Sequence, residues 1–483
     1  MVKKLADILD VIDVKASGVT IDLEYRSITL DSRNVQPGDV FIAVKGSQSD
    51  GHKYIDKALD NGAVAVITTD GRAQADDKIV VAEWEEDLLG KIANVVYDYP
   101  SEQMTVIGIT GTNGKTTVAT ILYQALKAMG YKCGLISTVK IVIDKEEFPS
   151  ELTTPDVLTL HKVQSQMLEQ GCDYVVMEVS SHAIHQGRIQ GIDFDCGIFT
   201  NITHDHLDYH NTFSEYIRVK KMFFDSLEPE AKAITNIDDS NGEIMLQNTQ
   251  AQKVSYALKR TCDFKGRILS STLQGLHMEI NHTEAFFRLA GEFNSYNLLA
   301  AYAGLVSLEV DSEDVILTHL TQVLPPEGRL DILRVESKQA LAAVDYAHTP
   351  DALANVLKTI KAMSTGSIVT VIGCGGDRDK VKRPQMASIA AIYSDKVILT
   401  SDNPRSEDPE AILDDMEAGI KNDDQHRVFR IASREQAIKM GVMLVENGDV
   451  LLVAGKGHEK YQEINGVKTP FDDRRKIMEF SKR

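Results

Sequence analysis

The nine residues ITGTNGKTT, 109–117, decide how this chain is read. They follow an apolar run, MTVIGIT (104–110), and lead into TTVATILYQALKAM, whose apolar residues recur at helical spacing and which stops at Gly130, a residue suited to a helix C-cap. Strand, glycine loop and helix in that order make a phosphate loop. Backbone N–H groups at a glycine turn and a helix N-terminus face the anion, Lys115 reaches the terminal phosphates, and the Thr116 hydroxyl is placed to ligate Mg²⁺. A strict GxxxxGK[ST] pattern would begin at position 109, which is Ile109; the glycine stands at Gly111 instead. The candidate nucleotide contacts are Gly111, Thr112, Asn113, Gly114, Lys115, Thr116 and Thr117.

The chain has 483 residues, which at ~150 residues per domain implies three compact domains. Hydrophobic residues make up 43%, enough to bury a core and outside the disordered range. Lys+Arg 52 against Asp+Glu 71 gives a formal charge of -19, a field that repels nucleic acid, so an anionic ligand must be held by local groups. The cysteines Cys133, Cys172, Cys196, Cys262 and Cys374 are widely spaced with no CxxC pair, which points to reduced thiols in a cytoplasmic protein. The start MVKKLADILDVIDVK carries Asp7, Asp10 and Asp13 where a signal core needs apolar residues, and no run approaches the ~20 apolar residues of a membrane span.

The hydrophobic pattern changes character twice. Up to Tyr99, short β-rich runs such as DVFIAVKG (39–46), GAVAVITT and KIVVAE are joined by polar turns, and YDYPSEQ then breaks the pattern at Pro100. A mixed domain over 1–100 is expected. Residues 101–328 form a central domain with buried strands MTVIGIT, DYVVMEV and CGIFTNI, to which LHMEINHTEAFFRL adds an antiparallel hairpin before Pro325-Pro326-Glu327-Gly328. Over 329–483 strand and helix alternate again. There LAAV leads into DYAHTP, SIVTVIG into CGGDRD, KVILT into SDNPR and VLLVA into GKGHE. Loops at the carboxyl ends of parallel strands line a ligand crevice, so this domain is expected to bind a ligand, although each loop alone also reads as a surface turn.

Two further segments carry chemistry. Glu178 ends the strand DYVVM, where a carboxylate ligates Mg²⁺ or orients a nucleophile in NTPases, and where a glutamate is as readily only solvated. NITHDHLDYH, 201–210, holds three histidines and two aspartates, a spacing that serves either a metal or a hydrogen-bonded surface loop. His206 is the metal candidate.

Taken in order, TGTNGKTT, TTP (153–155), MEVSSHA, FTNITHDHLDYH, GEFNSYN, EGR, DYAHTPD and GKGHE resemble the Mur ligase family, in its diamino-acid-adding type. The resemblance runs from LDSRNVQPGDVFIAVKG (30–46) to the last glycine loop. It implies an α/β fold of three domains: a uridine-nucleotide-binding domain, a central ATP-binding domain with a P-loop ATPase-like, mainly parallel sheet, and a C-terminal Rossmann-like domain for the incoming amino acid. It also implies an ATP- and Mg²⁺-dependent amide-bond ligase of cytoplasmic peptidoglycan precursor synthesis. That enzyme adds meso-diaminopimelate to UDP-N-acetylmuramoyl-L-Ala-D-Glu through an acyl phosphate. Neither nucleic acid nor membrane insertion is implied, and a monomer is the expected form.

Carried over residue by residue, Thr116, Glu178 and His206 match the magnesium positions, and Lys220 in EYIRVKKMFF matches the lysine that is carbamylated. Lys221 stands beside it as the alternative. A carbamate turns a cation into an anion able to ligate a metal; without the family, both lysines read as solvated helix residues. The catalytic set is thus Lys115, Glu178, His206 and Lys220. The nucleotide sugar is expected against Leu30, Ser32, Ser47, Gln48 and Ser49, and its peptide against Thr153, Thr154, Ser180, Gln186 and Arg188. Asn294, Asn297, Arg329 and Asp345 match ATP-side positions.

The amino acid is expected to be read by Asp402, Asn403, Pro404 and Arg405, with Arg378, Gly455 and Glu459 completing the pocket. A planar guanidinium binds a carboxylate through two parallel hydrogen bonds, which suits Arg405 to the second carboxylate of diaminopimelate that lysine lacks. Glu459 is suited to the distal ammonium. The competing expectations are an L-lysine-adding ligase of the same type, a folylpolyglutamate synthetase-like ligase, and a P-loop ATPase that hydrolyses nucleotide with no acceptor.

Overall fold

The computed structural model describes residues 3–46, 49–70, 77–150, 152–203, 207–210 and 212–482. The chain forms two compact units, Met1–Asp263 with Ala300–Ile316, and Phe264–Leu299 with Leu317–Arg483.

The first unit holds two large sheets and a two-stranded one, Lys3–Lys4 with Glu24–Tyr25. One has five strands in the order Val14–Ser17, Ile79–Ala82, Ala65–Thr68, Asp39–Ala43 and Ser27–Thr29, parallel except for the first pair. Asp39–Ala43 and Ala65–Thr68 are buried along their whole length, as unbroken apolar runs in a parallel sheet should be. The break expected at Pro100 is a 3-10 turn, Pro100–Gln103, entered through left-handed Asp98 and Tyr99. It does not separate two compact units. Val40, Ile42, Ile67 and Ile92 share one core with Val157 and Leu158 of the helix Val157–Glu169. Gly90 also lies so close to Gln190 and Gly191 that a Cβ there would stand 2.7 Å from backbone atoms.

The second sheet of this unit runs Glu146–Pro149, Lys140–Ile143, Cys133–Ile136, Tyr174–Glu178, Thr105–Thr110, Cys196–Phe199, Lys232–Asn236, Gln252–Ala257. Its strands are parallel from Cys133–Ile136 onward. The predicted phosphate-loop strand is therefore central, and the helix after it is Lys115–Ala128, with Gly130 left-handed just beyond its end.

In the second unit, Phe264–Thr272, Gly275–Ile280 and Thr283–Phe287 make an antiparallel meander. The hairpin expected in the central domain thus has a third strand, and it groups with the C-terminal residues. The reason is apolar packing: Leu273 and Ala290 join the core built by Leu353, Leu357 and Ile360. The main sheet of this unit runs Asp331–Val335, Ala340–Asp345, Val450–Ala454, Ile368–Cys374, Lys396–Ser401, Val428–Arg430, antiparallel only at the first pair. All four polar loops singled out in the sequence leave the carboxyl ends of its parallel strands. All five cysteines are free, and among the described residues no helix is long and apolar enough to cross a membrane.

The second unit also buries a complete ion pair. Arg434 Nε and Nη2 donate to the two carboxylate oxygens of Asp473 at 2.8 and 2.6 Å, and neither side chain is exposed. Removing one partner strands the other charge, so Asp473→Ala should destabilise this unit by about 3–5 kcal/mol, read as a lower urea midpoint by tryptophan-independent far-UV circular dichroism. An unchanged midpoint would show that the pair contributes nothing.

Candidate active site

The phosphate loop is held from outside by the residues that follow the neighbouring strand. Thr112 N donates to Asn201 O at 2.8 Å, and Asn113 N to Asn201 Oδ1 at 3.0 Å. Asn113 O accepts from Thr200 Oγ1 at 2.7 Å and from Asn201 Nδ2 at 3.1 Å. Gly111 has φ 149, and a Cβ on it would lie 1.9 Å from Thr200 Oγ1, so only glycine fits here. This is the physical content of the displaced first glycine. Lys115 Nζ donates to the carbonyls of Gly111 and Thr112, both at 2.9 Å, folded back over the loop it serves. Gly114, with φ 90, is the N-cap of the helix, and Thr116 and Thr117 are buried in its first turn.

Glu178 lies level with Ile109 on the adjacent strand and is fully buried. Its carboxylate accepts from Thr138 N at 2.8 Å and from Thr138 Oγ1 at 3.2 Å. Both donors are neutral, which suits the group to a cation. Lys220 and Lys221 separate cleanly. Lys220 is buried in the helix Phe213–Asp225, on the face carrying Tyr216, Val219, Phe223 and Phe224. Its Nζ donates to Gly111 O at 2.9 Å and stands 4.7 Å from the centroid of the Tyr216 ring. Lys221 instead pairs with Asp225 at 2.5 Å. His206 lies outside the described residues, as do Ser47 and Gln48.

A cavity of about 1760 Å³ in the first unit is lined by Leu30, Ser32, Ser49, Gln186 and Arg188, which join sequence segments predicted to hold the two ends of one substrate. Arg33, Lys45 and Lys57 add positive charge, and Tyr54 and Trp84 add aromatic faces. Arg188 donates to Thr154 O at 2.9 Å and to Gln186 Oε1 at 2.6 Å. Thr154 Oγ1 accepts from Ser180 N at 3.1 Å and donates to the Glu178 carbonyl at 2.8 Å, and the Thr153 hydroxyl lies 3.0 Å from Thr138 Oγ1, whose own proton meets the Glu178 carboxylate, so both threonines are linked to Glu178. Sequence reasoning missed Thr138 and Tyr209, whose hydroxyl lies 3.0 Å from Gln186 Nε2.

In the second unit, Asp345 accepts from Leu330 N and Ala347 N, both at 2.7 Å. Burial pushes its carboxyl up, opposed by the Arg329 charge and these two donors. The Arg329 guanidinium lies 4.6 Å from the Tyr346 ring centroid. Asn294 Nδ2 donates to Ala290 O, and Asn297 Nδ2 to Asn294 Oδ1, in the first turn of the helix Phe293–Ser307. At the loops expected to read the amino acid, Asn403 Nδ2 donates to Glu459 Oε2 at 2.7 Å, and Lys456 Nζ donates to Asn403 Oδ1 at 2.9 Å and Glu459 Oε2 at 3.1 Å. A Cβ on Gly455 would meet Asp402 Oδ2 at 2.7 Å. Arg405 Nη1 donates to Gly376 O at 2.7 Å, following Pro404 on the same turn, whereas Arg378 is exposed and reaches only the Asp377 carbonyl at 3.5 Å. Lys456, fully buried, was not legible as a site residue because a lysine in a glycine loop normally reads as solvated.

Three family descriptions cover most of the chain: "Mur ligase family, catalytic domain" over residues 24–96, "Mur ligase middle domain" over 109–305, and "Mur ligase, glutamate ligase domain" over 328–457. The chain belongs to the Mur ligase family. It is 48% identical over 470 residues to a Cytophaga hutchinsonii protein named UDP-N-acetylmuramoyl-L-alanyl-D-glutamate–2,6-diaminopimelate ligase, covering 96% of each chain. It is 47% identical over 480 residues to the Parabacteroides distasonis protein of the same name, covering 99% of this chain and 98% of the relative. A solved structure with that name superposes with a TM-score of 0.71 at 33% identity, covering 100% of this chain and 99% of the other. The mixed α/β architecture expected from the sequence is thus that of a Mur ligase.

In this Mur ligase the contact at Gly111 leaves no room for a side chain. Gly111→Ala should cost about 1–3 kcal/mol of loop strain, which is roughly 5- to 150-fold in the Kd for ATP, measured by titration calorimetry on protein with an unchanged melting profile. Equal affinity in the variant would show that the loop does not need its cramped conformation to bind nucleotide.

Proposed function

We propose that this chain is an ATP-dependent ligase that joins meso-diaminopimelate to UDP-N-acetylmuramoyl-L-alanyl-D-glutamate. The observation that carries the reading is near-half identity, end to end, to ligases named for that reaction. Residues 1–100 serve the uridine nucleotide, 101–328 serve ATP, and 329–483 serve the amino acid. The enzyme works in the cytoplasm, without membrane insertion or nucleic acid, as a monomer.

The reaction has two bond exchanges. A substrate carboxylate oxygen attacks the γ-phosphorus and ADP leaves; the amine of diaminopimelate then attacks the acyl carbon and phosphate leaves with the carboxylate oxygen. Little of this needs covalent help from protein, so the chain contributes positioning and charge. Lys115 exchanges its contacts with the Gly111 and Thr112 carbonyls for phosphate oxygens. The N–H groups of the helix N-terminus after Gly114 hold the same anion. Bound Mg²⁺ supplies neutralisation of the phosphoryl charge. Thr116, Glu178 and His206 are the residues that would hold it, with a carbamate on Lys220. The buried Glu178 carboxylate, met only by neutral donors among the described residues, fits that role. The cavity lined by Leu30, Ser32, Ser49, Gln186 and Arg188 accommodates a long, oxygen-rich, anionic substrate. Arg405 receives the distal carboxylate of the amino acid, and Glu459 its distal ammonium.

Lys220 packs on the phosphate loop while Lys221 is engaged with Asp225. Lys220→Ala should therefore lose most ligase activity and not regain it with excess bicarbonate, whereas Lys221→Ala should retain it. The reverse pattern would assign the modification to the other lysine.

Arg405→Ala should strip the distal carboxylate of a charged partner, at ~2–5 kcal/mol, or roughly 30- to several-thousand-fold in kcat/KM for diaminopimelate. Lysine should lose little. Equal losses for both amino acids, or wild-type enzyme that prefers lysine, would refute the substrate assignment. Phosphate released with no acceptor amino acid would favour a plain ATPase.

A further inference from the structure

Arg405 has φ 51, a left-handed conformation that a residue with a side chain keeps only when its surroundings over-determine it. The surroundings here are a second loop. Gly376 N donates to Asn403 O at 2.9 Å, Arg405 Nη1 returns a bond to Gly376 O at 2.7 Å, and a Cβ on Gly376 would lie 1.9 Å from Pro404 O. Residues 463–465 hold the Arg405 backbone, with Arg405 N donating to Glu463 O at 3.1 Å and Asn465 N to Arg405 O at 2.6 Å, and Glu463 Oε2 lies 3.9 Å from Arg405 Nε, so the direction of the guanidinium is set by Glu463 together with residues 375–377.

Those residues are in turn tied down by charge. Asp377 accepts from Ser406 Oγ at 2.7 Å and Ser406 N at 3.2 Å, and its own N–H donates to Glu407 Oε1 at 2.6 Å. Arg383, with no exposed side-chain surface, donates to both oxygens of Glu407 at 2.8 and 3.0 Å. Its Nη1 also donates to Asp415 Oδ2 at 2.8 Å and its Nη2 to Gly375 O at 3.3 Å. One buried guanidinium thus links both loops to the helices Lys382–Tyr393 and Pro409–Glu417. Lys380, 3.3 Å from Glu407, adds a second cation beside Arg383. The Arg383 pairing holds the Glu407 carboxyl down to about 2, so it stays ionised at neutral pH.

We propose that Arg383 and Glu407 form a positioning brace that aims Arg405, and through it set the affinity for the amino acid. The proposal rests on the reading of Arg405 as the carboxylate receptor. A buried ion pair by itself is weak evidence of stabilisation; what marks this one is that every group it touches belongs to the two loops that flank Arg405 or to the helices behind them. Neither residue is a catalytic residue, since both act through Arg405.

The test uses the full-length enzyme, with ligated product measured by mass while each substrate is varied in turn. Glu407→Gln keeps the shape of the brace and removes its charge. KM for diaminopimelate should rise about tenfold, because small misplacements of a binding group cost one to two orders of magnitude. The kcat at saturation should stay within about twofold, and KM for ATP and for the nucleotide substrate should not move. In an Arg405→Ala background the same change should add nothing, since residues acting as one unit are not additive.

An unchanged KM for diaminopimelate, a fall in kcat with all three KM values disturbed, or full additivity with Arg405→Ala would each overturn the brace. Should Glu407→Gln fail to fold, Ser406→Ala removes only the hydroxyl contact to Asp377 and should raise the same KM by a smaller factor; no rise would overturn the proposal. If Arg405→Ala itself leaves KM unchanged, the carboxylate reading fails and the brace falls with it. If Arg405→Ala raises KM and Glu407→Gln does not, only the brace fails.

Discussion

Thr200 and Asn201 grip the backbone of residues 111–113 from the next strand over, and the rest of the site in the first unit depends on that grip. It leaves no space for a Cβ at Gly111. It turns the Asn113 carbonyl away from the ligand side and into two donors, Thr200 Oγ1 and Asn201 Nδ2. With the N–H groups of Thr112 and Asn113 taken by Asn201, the donors left to meet an anion are those of the helix N-terminus after Gly114, which the same grip holds in place. Lys220 leans on the same backbone through Gly111 O. Loop, lysine and the Glu178 carboxylate are thus gathered at the carboxyl ends of adjacent strands in the middle of the sheet.

Most of this was legible in the sequence because the signals were local. The run MTVIGIT, the glycines at 111 and 114 and the helical spacing after Lys115 specify strand, loop and helix with few neighbours involved. The four polar loops behind LAAV, SIVTVIG, KVILT and VLLVA were legible for the same reason, and the sheet order brings their strands side by side. The choice of Lys220 over Lys221 rested on the match to the family motif and not on a local signal. Yet the helix around them carries apolar residues at 216, 219, 223 and 224, which puts 220 on the buried face and 221 beside it.

What escaped the sequence was long-range. The meander from Phe264 to Phe287 groups with the C-terminal unit because Leu273 and Ala290 find their apolar partners there, which alternation along the strands cannot reveal. Arg383, Arg434 and Lys456 read as surface residues by type and are fully buried. Each is buried beside carboxylates or amides that stand near the amino-acid loops, a pattern only the fold assembles. Buried cations of this kind are costly unless paired, and all three are paired here, Arg383 with Glu407, Arg434 with Asp473 and Lys456 with Glu459.

A ligase of the proposed kind activates a carboxylate by phosphorylation, and oxygen transfer reads that step directly. The nucleotide substrate labelled with ¹⁸O in its reacting carboxylate should be turned over with ATP, Mg²⁺ and diaminopimelate, and the released phosphate weighed by mass spectrometry. An acyl phosphate predicts one labelled oxygen in each phosphate formed, in step with amide product. Unlabelled phosphate, released whether or not amide forms, would contradict it.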